Sequence, residues 1–454
     1  MTHFVGIGGI GMSALARLLL ARGEPVSGSD VKRTPLIARL EAEGARVTIG
    51  HRAENVEQAT RVIVSSAIDR ANPEIARALE RRIPVTTRGE MLAELTGGKK
   101  TIAVAGTHGK TTTTAMIAAV LSAGGVDPTI AIGGEPVDSG TNAHLGSGAW
   151  FVTESDESDG SFLHLQPHVA VVTNVENDHV KGDDEWQNLL GAFARFVGKI
   201  PSDGMLIAGA DNAESSALAN ATPGCPALRY GLDAERAALV ARITAYEDFG
   251  TRSEILMHGK SLGELSLRVP GAINVQNALA AFAAGTFVGI DFATIAKALD
   301  QFRGVRRRFE FLLRSSELSI VDDYAHHPTA VRETIATARR YHAGPLIVAF
   351  EPHRFTRTLY LAADFATALS GADRVILAPV YAASEPAIPA VSARSIGEPL
   401  AAKGTQVEYV DDVFALPSLL QNAPSGSLVL MLGAGSISEA AHRYAQSGVK
   451  AATA

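Results

Sequence analysis

A single cysteine, Cys225, is all the thiol that this chain of 454 residues carries. That excludes an intrachain disulfide and any metal cage built from several thiolates, and it points to a reducing compartment. Long apolar runs are missing as well. The most extended, Ala278 to Ile290, is rich in alanine, interrupted by glycine and threonine, and too short to span a bilayer. There is no long lysine–arginine run and the formal net charge is −7, so electrostatics gives no reason to expect a nucleic acid or a membrane surface as partner. Local arginine clusters can still hold an anionic substrate. The opening Met1-Thr2-His3-Phe4-Val5 enters a strand pattern without a charged-then-apolar signal region. Low-complexity segments and short repeats are also absent. Together these absences lead to the expectation of a soluble, cytoplasmic protein.

What is present is the composition of an ordinary globular chain, 46% hydrophobic and 20% charged. Its length exceeds what one core fills, and about two or three domains follow. Short apolar runs alternate with helical patterns almost throughout, which predicts α/β architecture with largely parallel sheets. The first segment reads as a strand ending near Val5, a glycine turn, a helix from about Met12 to Arg22, and strands at Val26 to Ser29, Val47 to Ile49, Val62 to Ser65 and Val85 to Thr86. Gly97-Gly98-Lys99-Lys100 reads as a linker. A second unit opens with the strand Thr101 to Ala105 and a helix from Thr111 to about Ala123, followed by buried strands at Phe151, Val169 and Met205. Between Tyr230 and Pro270 the pattern alternates, as antiparallel strands do. A helix from Ala278 to Gly289 is expected to close this unit. The third starts after Arg306-Arg307-Arg308, with strands at Leu318, Leu346, Val375 and Leu428. The expected organisation is a Rossmann-like domain over residues 1–98, a central P-loop domain with a mixed sheet over 99–304, and a Rossmann-like domain over 305–454.

Two glycine loops carry chemistry. Gly6-Ile7-Gly8-Gly9-Ile10-Gly11 fits the dinucleotide pattern, with Asp30 at the end of the next strand. Glycines let backbone approach a pyrophosphate, which then sits on the N–H groups and positive dipole of a helix N-terminus. The loop recognises a diphosphate rather than a nicotinamide. A dehydrogenase, another phosphate-bearing ligand and a ligand-free turn all satisfy it.

The second loop, Gly106-Thr107-His108-Gly109-Lys110-Thr111-Thr112, lies between an apolar strand and a helix, the context that a P-loop needs. Its N–H groups form an anion nest, Lys110 reaches the β- and γ-phosphates, and the Thr111 hydroxyl binds Mg²⁺. The full pattern wants a glycine where Val104 stands, so the loop is a shortened variant. Glu154, in the acidic run Glu154 to Asp159, and His179 each follow an apolar strand. Residues just past the carboxyl ends of strands share one crevice in such a sheet, so Thr111, Glu154 and His179 can meet around a metal. A solvated acidic loop and a turn histidine fit the same residues.

Taken together, these loops and further islands resemble the Mur ligases, the amide-forming enzymes of peptidoglycan precursor synthesis. The islands are Gly6 to Ser13, Gly28-Ser29-Asp30, Ser65-Ser66-Ala67-Ile68, Gly106 to Thr112, Asn142 to Gly146, Glu154 to Pro167, Thr173-Asn174, Arg307-Arg308-Phe309, Asp322 to Thr329 and Pro352-His353-Arg354. They run nearly end to end in the family's order. The resemblance implies an ATP-dependent reaction joining L-alanine to the lactyl carboxylate of UDP-N-acetylmuramate through an acyl phosphate. It implies Thr111, Glu154 and His179 as ligands of two Mg²⁺ ions, Asn277 as an adenine contact, Arg308 as a phosphate contact and Asp323 as a ribose contact. It assigns Gly6, Gly8, Gly9, Ile10, Gly11, Asp30, Ser65 and Ser66 to the UDP-sugar, and Tyr324, His326, Arg354 and Arg357 to the carboxylate and the incoming amino acid. Lys110, Glu154, His179 and Arg308 are the implied catalytic groups, with His326 a candidate base. A monomer or weak homodimer is expected. Where the family has Gly-x-His-Asn-x-x-Asn, this chain has Gly271 to Asn277 with Ile273 in place of the histidine. The branch of the family that recycles a cell-wall tripeptide onto the same UDP-sugar is the rival; Glu157 to Pro167 resembles the alanine-adding branch. An acyl phosphate must be shielded from water, so closure of the third domain over the second is expected.

Overall fold

The alternation of buried runs and helical stretches builds three sheets in the computed structural model, which describes residues 1–157, 160–177, 182–220, 224–383 and 385–452. The N-terminal region runs β1 (Thr2–Val5), α1 (Ile10–Ala21), β2 (Val26–Asp30), α2 (Pro35–Ala42), β3 (Arg46–Ile49), β4 (Arg61–Val64), α3 (Pro73–Glu80), β5 (Val85–Thr87) and α4 (Arg88–Thr96). Its strands pair in parallel in the order β3-β2-β1-β4-β5. Local chemistry sets the helix starts. The Thr34 side chain caps α2 ahead of Pro35, Asn72 caps α3 ahead of Pro73, and Thr87 with Glu90 forms a reciprocal capping box on α4. The strand order reverses between β1 and β4, so the loops leaving those two strands flank one crevice.

The central region follows as β6 (Lys100–Ala105), α5 (Lys110–Ala123), β7 (Thr129–Ala131), β8 (Ala143–His144), β9 (Trp150–Glu154), β10 (Val169–Val172), α6 (Asp183–Val197), β11 (Met205–Gly209), α7 (Ala213–Leu218), β12 (Ala227–Gly231), β13 (Leu239–Glu247), β14 (Gly250–Met257), β15 (Lys260–Leu267), α8 (Ala272–Val288) and α9 (Phe292–Gln301). These strands make a ten-stranded sheet in the order β15-β14-β13-β12-β11-β10-β6-β9-β7-β8. Strand β6 is buried and lies in parallel between β9 and β10. The sheet is mixed: β7 pairs with β8 and β14 with β15 in antiparallel fashion, while β12 meets β13 in parallel. Helix α8 begins six residues before the expected Ala278, because the polar Asn274 and Asn277 of its first turns are engaged within the fold. Helix α9, capped by the Asp291 carboxylate on Thr294 N, follows it and closes the region instead.

The last region holds β16 (Glu310–Arg314), β17 (Leu318–Asp323), α10 (Pro328–Tyr341), β18 (Leu346–Phe350), α11 (Phe355–Leu369), β19 (Arg374–Leu377), α12 (Arg394–Ala402), β20 (Gln406–Tyr409), α13 (Leu416–Leu420), β21 (Ser427–Leu432) and α14 (Ile437–Ala452). Its six strands run β16-β17-β21-β18-β19-β20, parallel except for the edge strand β16.

By packing, the three sheets fall into two compact units. One comprises Met1–Ala245, Thr251–Arg268 and Ala272–Arg303; the other Tyr246–Gly250, Val269–Gly271 and Gly304–Ala454. The first two sheets thus share a unit, and one apolar cluster joins Leu15, Leu18, Met91 and Leu95 to Phe162, Phe193 and Phe196. The stretch expected as a linker is tied down. Lys99 Nζ donates to Thr129 Oγ1 at 2.8 Å and to the carbonyls of Gly146 and Gly148 at 2.7 and 2.8 Å. Among the described residues no helix is long and apolar enough to cross a membrane.

Candidate active site

The first glycine loop connects β1 to α1. Gly6 N and Ile7 N both donate to the Ser29 carbonyl, at 2.9 and 3.0 Å, which pins the turn to β2. Asp30 is spent on the same turn: its Oδ2 accepts from Gly8 N at 2.9 Å and its Oδ1 from Val31 N at 2.8 Å. Across the switch point, Ser65 and Ser66 follow β4, and Ser65 Oγ accepts from Ala67 N at 3.3 Å. The fold therefore gathers Gly6, Gly8, Gly9, Ile10, Gly11, Ser65 and Ser66 at one edge of the sheet, with Asp30 shaping the loop. Under it lies a fully buried carboxylate, Glu74. Its Oε2 accepts from Ser29 Oγ at 2.6 Å and contacts His51 Nδ1 at 3.0 Å, Asn55 Nδ2 donates to its Oε1, and His3 Nε2 stands 3.8 Å away. Burial pushes this carboxyl up, but the charge contact with His3 and the hydrogen bonds from Ser29 and Asn55 outweigh it and bring it down to about 2.

The second glycine loop leaves β6 and enters α5, between the exits of β9 and β10. Gly106 sits at φ +129°, and a Cβ there would strike Thr173 Oγ1 and lie 2.8 Å from the Asn174 carbonyl. This position requires glycine. The exit of β10 grips the loop: Thr107 N donates to Asn174 O at 3.0 Å, His108 N to Asn174 Oδ1 at 2.8 Å, and Thr173 Oγ1 to His108 O at 2.7 Å. From the other side Asn277, 3% exposed, accepts from Thr113 Oγ1 at 3.0 Å and donates to Asn274 Oδ1 at 3.1 Å. Its amide is therefore engaged within the fold. Lys110 Nζ folds back to the Gly106 and Thr107 carbonyls and pairs with Glu157 at 2.9 Å. Burial pushes the Glu157 carboxyl up against the pull of Lys110. Thr111 Oγ1 donates to Glu154 Oε2 at 2.8 Å, and Gly133 N donates to Glu154 Oε1. Thr112 is buried in the first turn of α5, and His108 Nε2 lies 3.5 Å from Glu176. His179 lies outside the described residues.

A hydroxyl and a carboxylate side by side are hard oxygen donors, and with waters they fit Mg²⁺ better than a softer metal. Beside the loop a cavity of about 140 Å³ is lined by Thr173, Asn174, Asp211, Ile273, Gln276 and Asn277. A larger hollow of about 420 Å³ around Leu232, Val240 and Leu256 is mostly apolar and holds none of the loop's groups.

The expected residues of the last region collect at the exits of β17 and β18. Arg307 and Arg308 stand over the Tyr324 ring at 4.9 and 5.2 Å. Asp323, 9% exposed, accepts from Phe309 N at 2.7 Å and Ala325 N at 2.8 Å, and burial pushes its carboxyl up despite Arg308. His326 packs edge-on to Tyr324, with Nδ1 2.8 Å from the Tyr324 carbonyl, and lies 5.6 Å from the His353 ring. Burial and then Arg357 push His326 down to about 3; burial, Arg357 and Arg354 push His353 down to about 4. Both rings are neutral at physiological pH. His353 stacks on Tyr381, Arg357 Nη1 lies 3.3 Å from His353 Nδ1, and Arg354 caps α11 at φ +72° with its N–H donating to Tyr381 O.

Three sequence models of one family match the chain in order: "Mur ligase family, catalytic domain" over residues 1–100, "Mur ligase middle domain" over 104–285, and "Mur ligase, glutamate ligase domain" over 307–435. The chain belongs to the Mur ligase family. Among its relatives, the UDP-N-acetylmuramate–L-alanine ligase of Acidithiobacillus ferrooxidans is 46% identical over 98% of this chain and 97% of that protein. The enzyme of the same name from Carboxydothermus hydrogenoformans is 42% identical, covering 97% and 95%. Among solved Mur ligases, UDP-N-acetylmuramate–alanine ligase of Thermotoga maritima superposes with a TM-score of 0.87 at 30% identity, over 99% of both chains. A murein peptide ligase of Psychrobacter arcticus gives 0.74 at 25% identity over 98% of both.

Sequence reasoning assigned no role to Glu157 or Glu74. Glu157 was within reach of it, as the acid three positions past Glu154. Glu74 carries no local signal, because its partners Ser29, His51 and Asn55 are all about twenty or more positions away in the chain.

Proposed function

We propose that this Mur ligase joins L-alanine to the lactyl carboxylate of UDP-N-acetylmuramate at the expense of ATP, releasing ADP and phosphate. What carries the reading is the full-length likeness to enzymes of that name, 46% identical in one case. The geometry of the second loop supports it. Sugar-nucleotide binding is assigned to residues 1–98, ATP binding to 99–304 and amino-acid binding to 305–454. The ligase is taken to work in the cytoplasm, as a monomer or weak homodimer, with neither nucleic acid nor membrane as partner.

A carboxylate is a poor electrophile. The γ-phosphoryl group of ATP passes to a lactyl carboxylate oxygen, giving an acyl phosphate and ADP. The alanine amine then attacks the acyl carbon, and the tetrahedral intermediate expels phosphate. The protein mainly positions two anions and neutralises their charge. The N–H groups of Gly106 to Thr112 cradle the phosphates, and Lys110 leaves Glu157 to reach them. Mg²⁺, as two ions with Thr111, Glu154 and His179 as their protein ligands, would supply further charge neutralisation at the phosphates. Asn277 and Asp323 are assigned to the nucleoside, Arg308 to phosphate, and Arg354 and Arg357 to carboxylate. His326, with Tyr324 beside it, offers Nε2 as an acceptor toward the amine. A ring held at about 3 is a weak base, so orientation is its stronger contribution.

The test is phosphate release from ATP with UDP-N-acetylmuramate and, separately, alanine, glycine, serine or the cell-wall tripeptide, with the product weighed by mass spectrometry. Alanine is expected to give the highest kcat/KM. Turnover with the tripeptide alone would move the assignment to the recycling branch, which the murein peptide ligase represents among the solved relatives.

A further inference from the structure

In the arrangement of the second loop, Lys110 has no hydrogen to spare for a phosphate. Its ammonium carries three donors, and they meet the Gly106 and Thr107 carbonyls and both carboxylate oxygens of Glu157, the last two at 3.1 and 2.9 Å. The pair is largely enclosed: the Glu157 side chain is 9% exposed and that of Lys110 18%. Among the described residues, Lys110 is the only side chain that donates to the Glu157 carboxyl. The other charged groups around it do not replace that cation. Glu154 faces Thr111 and Gly133 N, and His108 stands beside Glu176. Arg88, from α4, meets the segment farther along at Ser161 Oγ, and Asp156 adds a like charge. Burial already pushes the Glu157 carboxyl up, and Lys110 is the main pull in the other direction.

A triphosphate in the loop draws the ammonium toward its β- and γ-oxygens. The carboxylate then stands buried, without its cation and close to added negative charge. Burial and like charge both penalise the ionised form. We propose that Glu157 is a positioning residue for Lys110, which parks the ammonium against the loop and takes up a proton when a nucleotide draws it off. The proposal rests on the reading of the second loop as the ATP site. One proton comes from solvent as the nucleotide binds, and it returns there when Lys110 comes back to the carboxylate. The paired carboxyl is ionised and the deserted one is neutral, so binding consumes a proton. Affinity for ATP therefore falls as pH rises, by at most about tenfold per unit.

Calorimetric titration of the full-length protein with a non-hydrolysable ATP analogue and Mg²⁺, in two buffers of unlike ionisation enthalpy, counts the protons. Near pH 7 the unaltered protein should take up roughly half to one proton more than Glu157→Gln, and Glu157→Asp should keep the uptake. Glu157→Gln should bind the analogue roughly three- to tenfold more tightly, the order of a net ion pair's worth, with an advantage that grows as pH rises. In turnover it should lower the KM for ATP and leave the KM for the UDP-sugar unchanged. Adenosine, which has no phosphate, should bind without proton uptake in either protein. Equal proton uptake by the unaltered protein and Glu157→Gln overturns the proposal. So does weaker analogue binding by Glu157→Gln at an unchanged melting temperature, which is the mark of a metal ligand. If Glu157→Gln melts early, the unaltered protein decides: an analogue affinity that does not fall between about pH 6 and about pH 9 overturns the proposal. Analogue binding by the unaltered protein without proton uptake removes the proposal and leaves the loop's assignment standing. Failure to bind the analogue at all removes both.

Discussion

The two glycine loops begin alike, as a buried strand, a tight turn and a helix N-terminus, and they are anchored in opposite ways. The first hangs from the Ser29 carbonyl and the Asp30 carboxylate, and Ser29 in turn rests on the ionised, buried Glu74. The second is gripped by neutral groups, Thr173, Asn174 and Asn277. Their cations differ too. Lys110 belongs to its own loop and is parked on Glu157, whereas the first loop is crossed by Arg88 from α4. Two loops of one pattern are thus held by different chemistry, and the segments packed around each decide which cation reaches it.

The harshest way to break this comparison is to remove the resident cation. Lys110→Ala should lower ligation by about two to three orders of magnitude, with an unchanged far-UV spectrum and melting temperature. Near-normal turnover in a phosphate-release assay would end the P-loop assignment.

Next comes acid. Glu74 is held at about 2 against an ordinary 4.5. A lowered carboxylate contributes stability that is present above 4.5 and is lost as pH falls toward 2, here about 3 kcal/mol. Glu157 has the opposite sign: its raised carboxyl makes its ionisation a cost that acid removes. Amides of the N-terminal sheet should therefore lose hydrogen-exchange protection before those of β6 as pH falls from 4.5 to 2. Glu74→Gln should flatten the pH dependence of denaturant stability in that window, and an unchanged slope would refute the role given to Glu74.

Gly106→Ala forces a side chain into a left-handed turn against the exit of β10, and should cost about 2 kcal/mol in a urea titration. The smallest effect is expected from Asp30→Ala, which frees Gly8 N at about 1 kcal/mol. It should raise the UDP-sugar KM and leave the KM for ATP unchanged.

Much of this was legible in the chain. β1, β6, β10 and β18 announce themselves as apolar runs, and both loops follow from glycine spacing between a strand and a helix. The first turns of α8 were not legible, because Asn274 and Asn277 look like loop residues until their partners are known. Nor was α9, whose Asp291 cap is a short local signal after a break at Gly289. The edge strand β16 is partly exposed, and its apolar run is only Phe311-Leu312-Leu313 between charged residues. In the site, Thr111 beside Glu154 follows from strand order, since β9 neighbours β6. The pairing of Lys110 with Glu157, the foundation under Ser29 and the reach of Arg88 depend on side-chain direction, which spacing does not encode.

The tether at Lys99 has a consequence for how this protein can be recombined. Residues 1–98, cut at the two glycines and grafted onto a relative, would lose the anchored end of the junction, because Lys99 and its three acceptors stay together on the central side. The cut would also bare Met91 and Leu95, and leave Asn142 without the Ile10 carbonyl that its side chain bonds at 2.6 Å. Chimeras are expected to fold when the first three hundred residues travel as one block, and to aggregate when only the first hundred do.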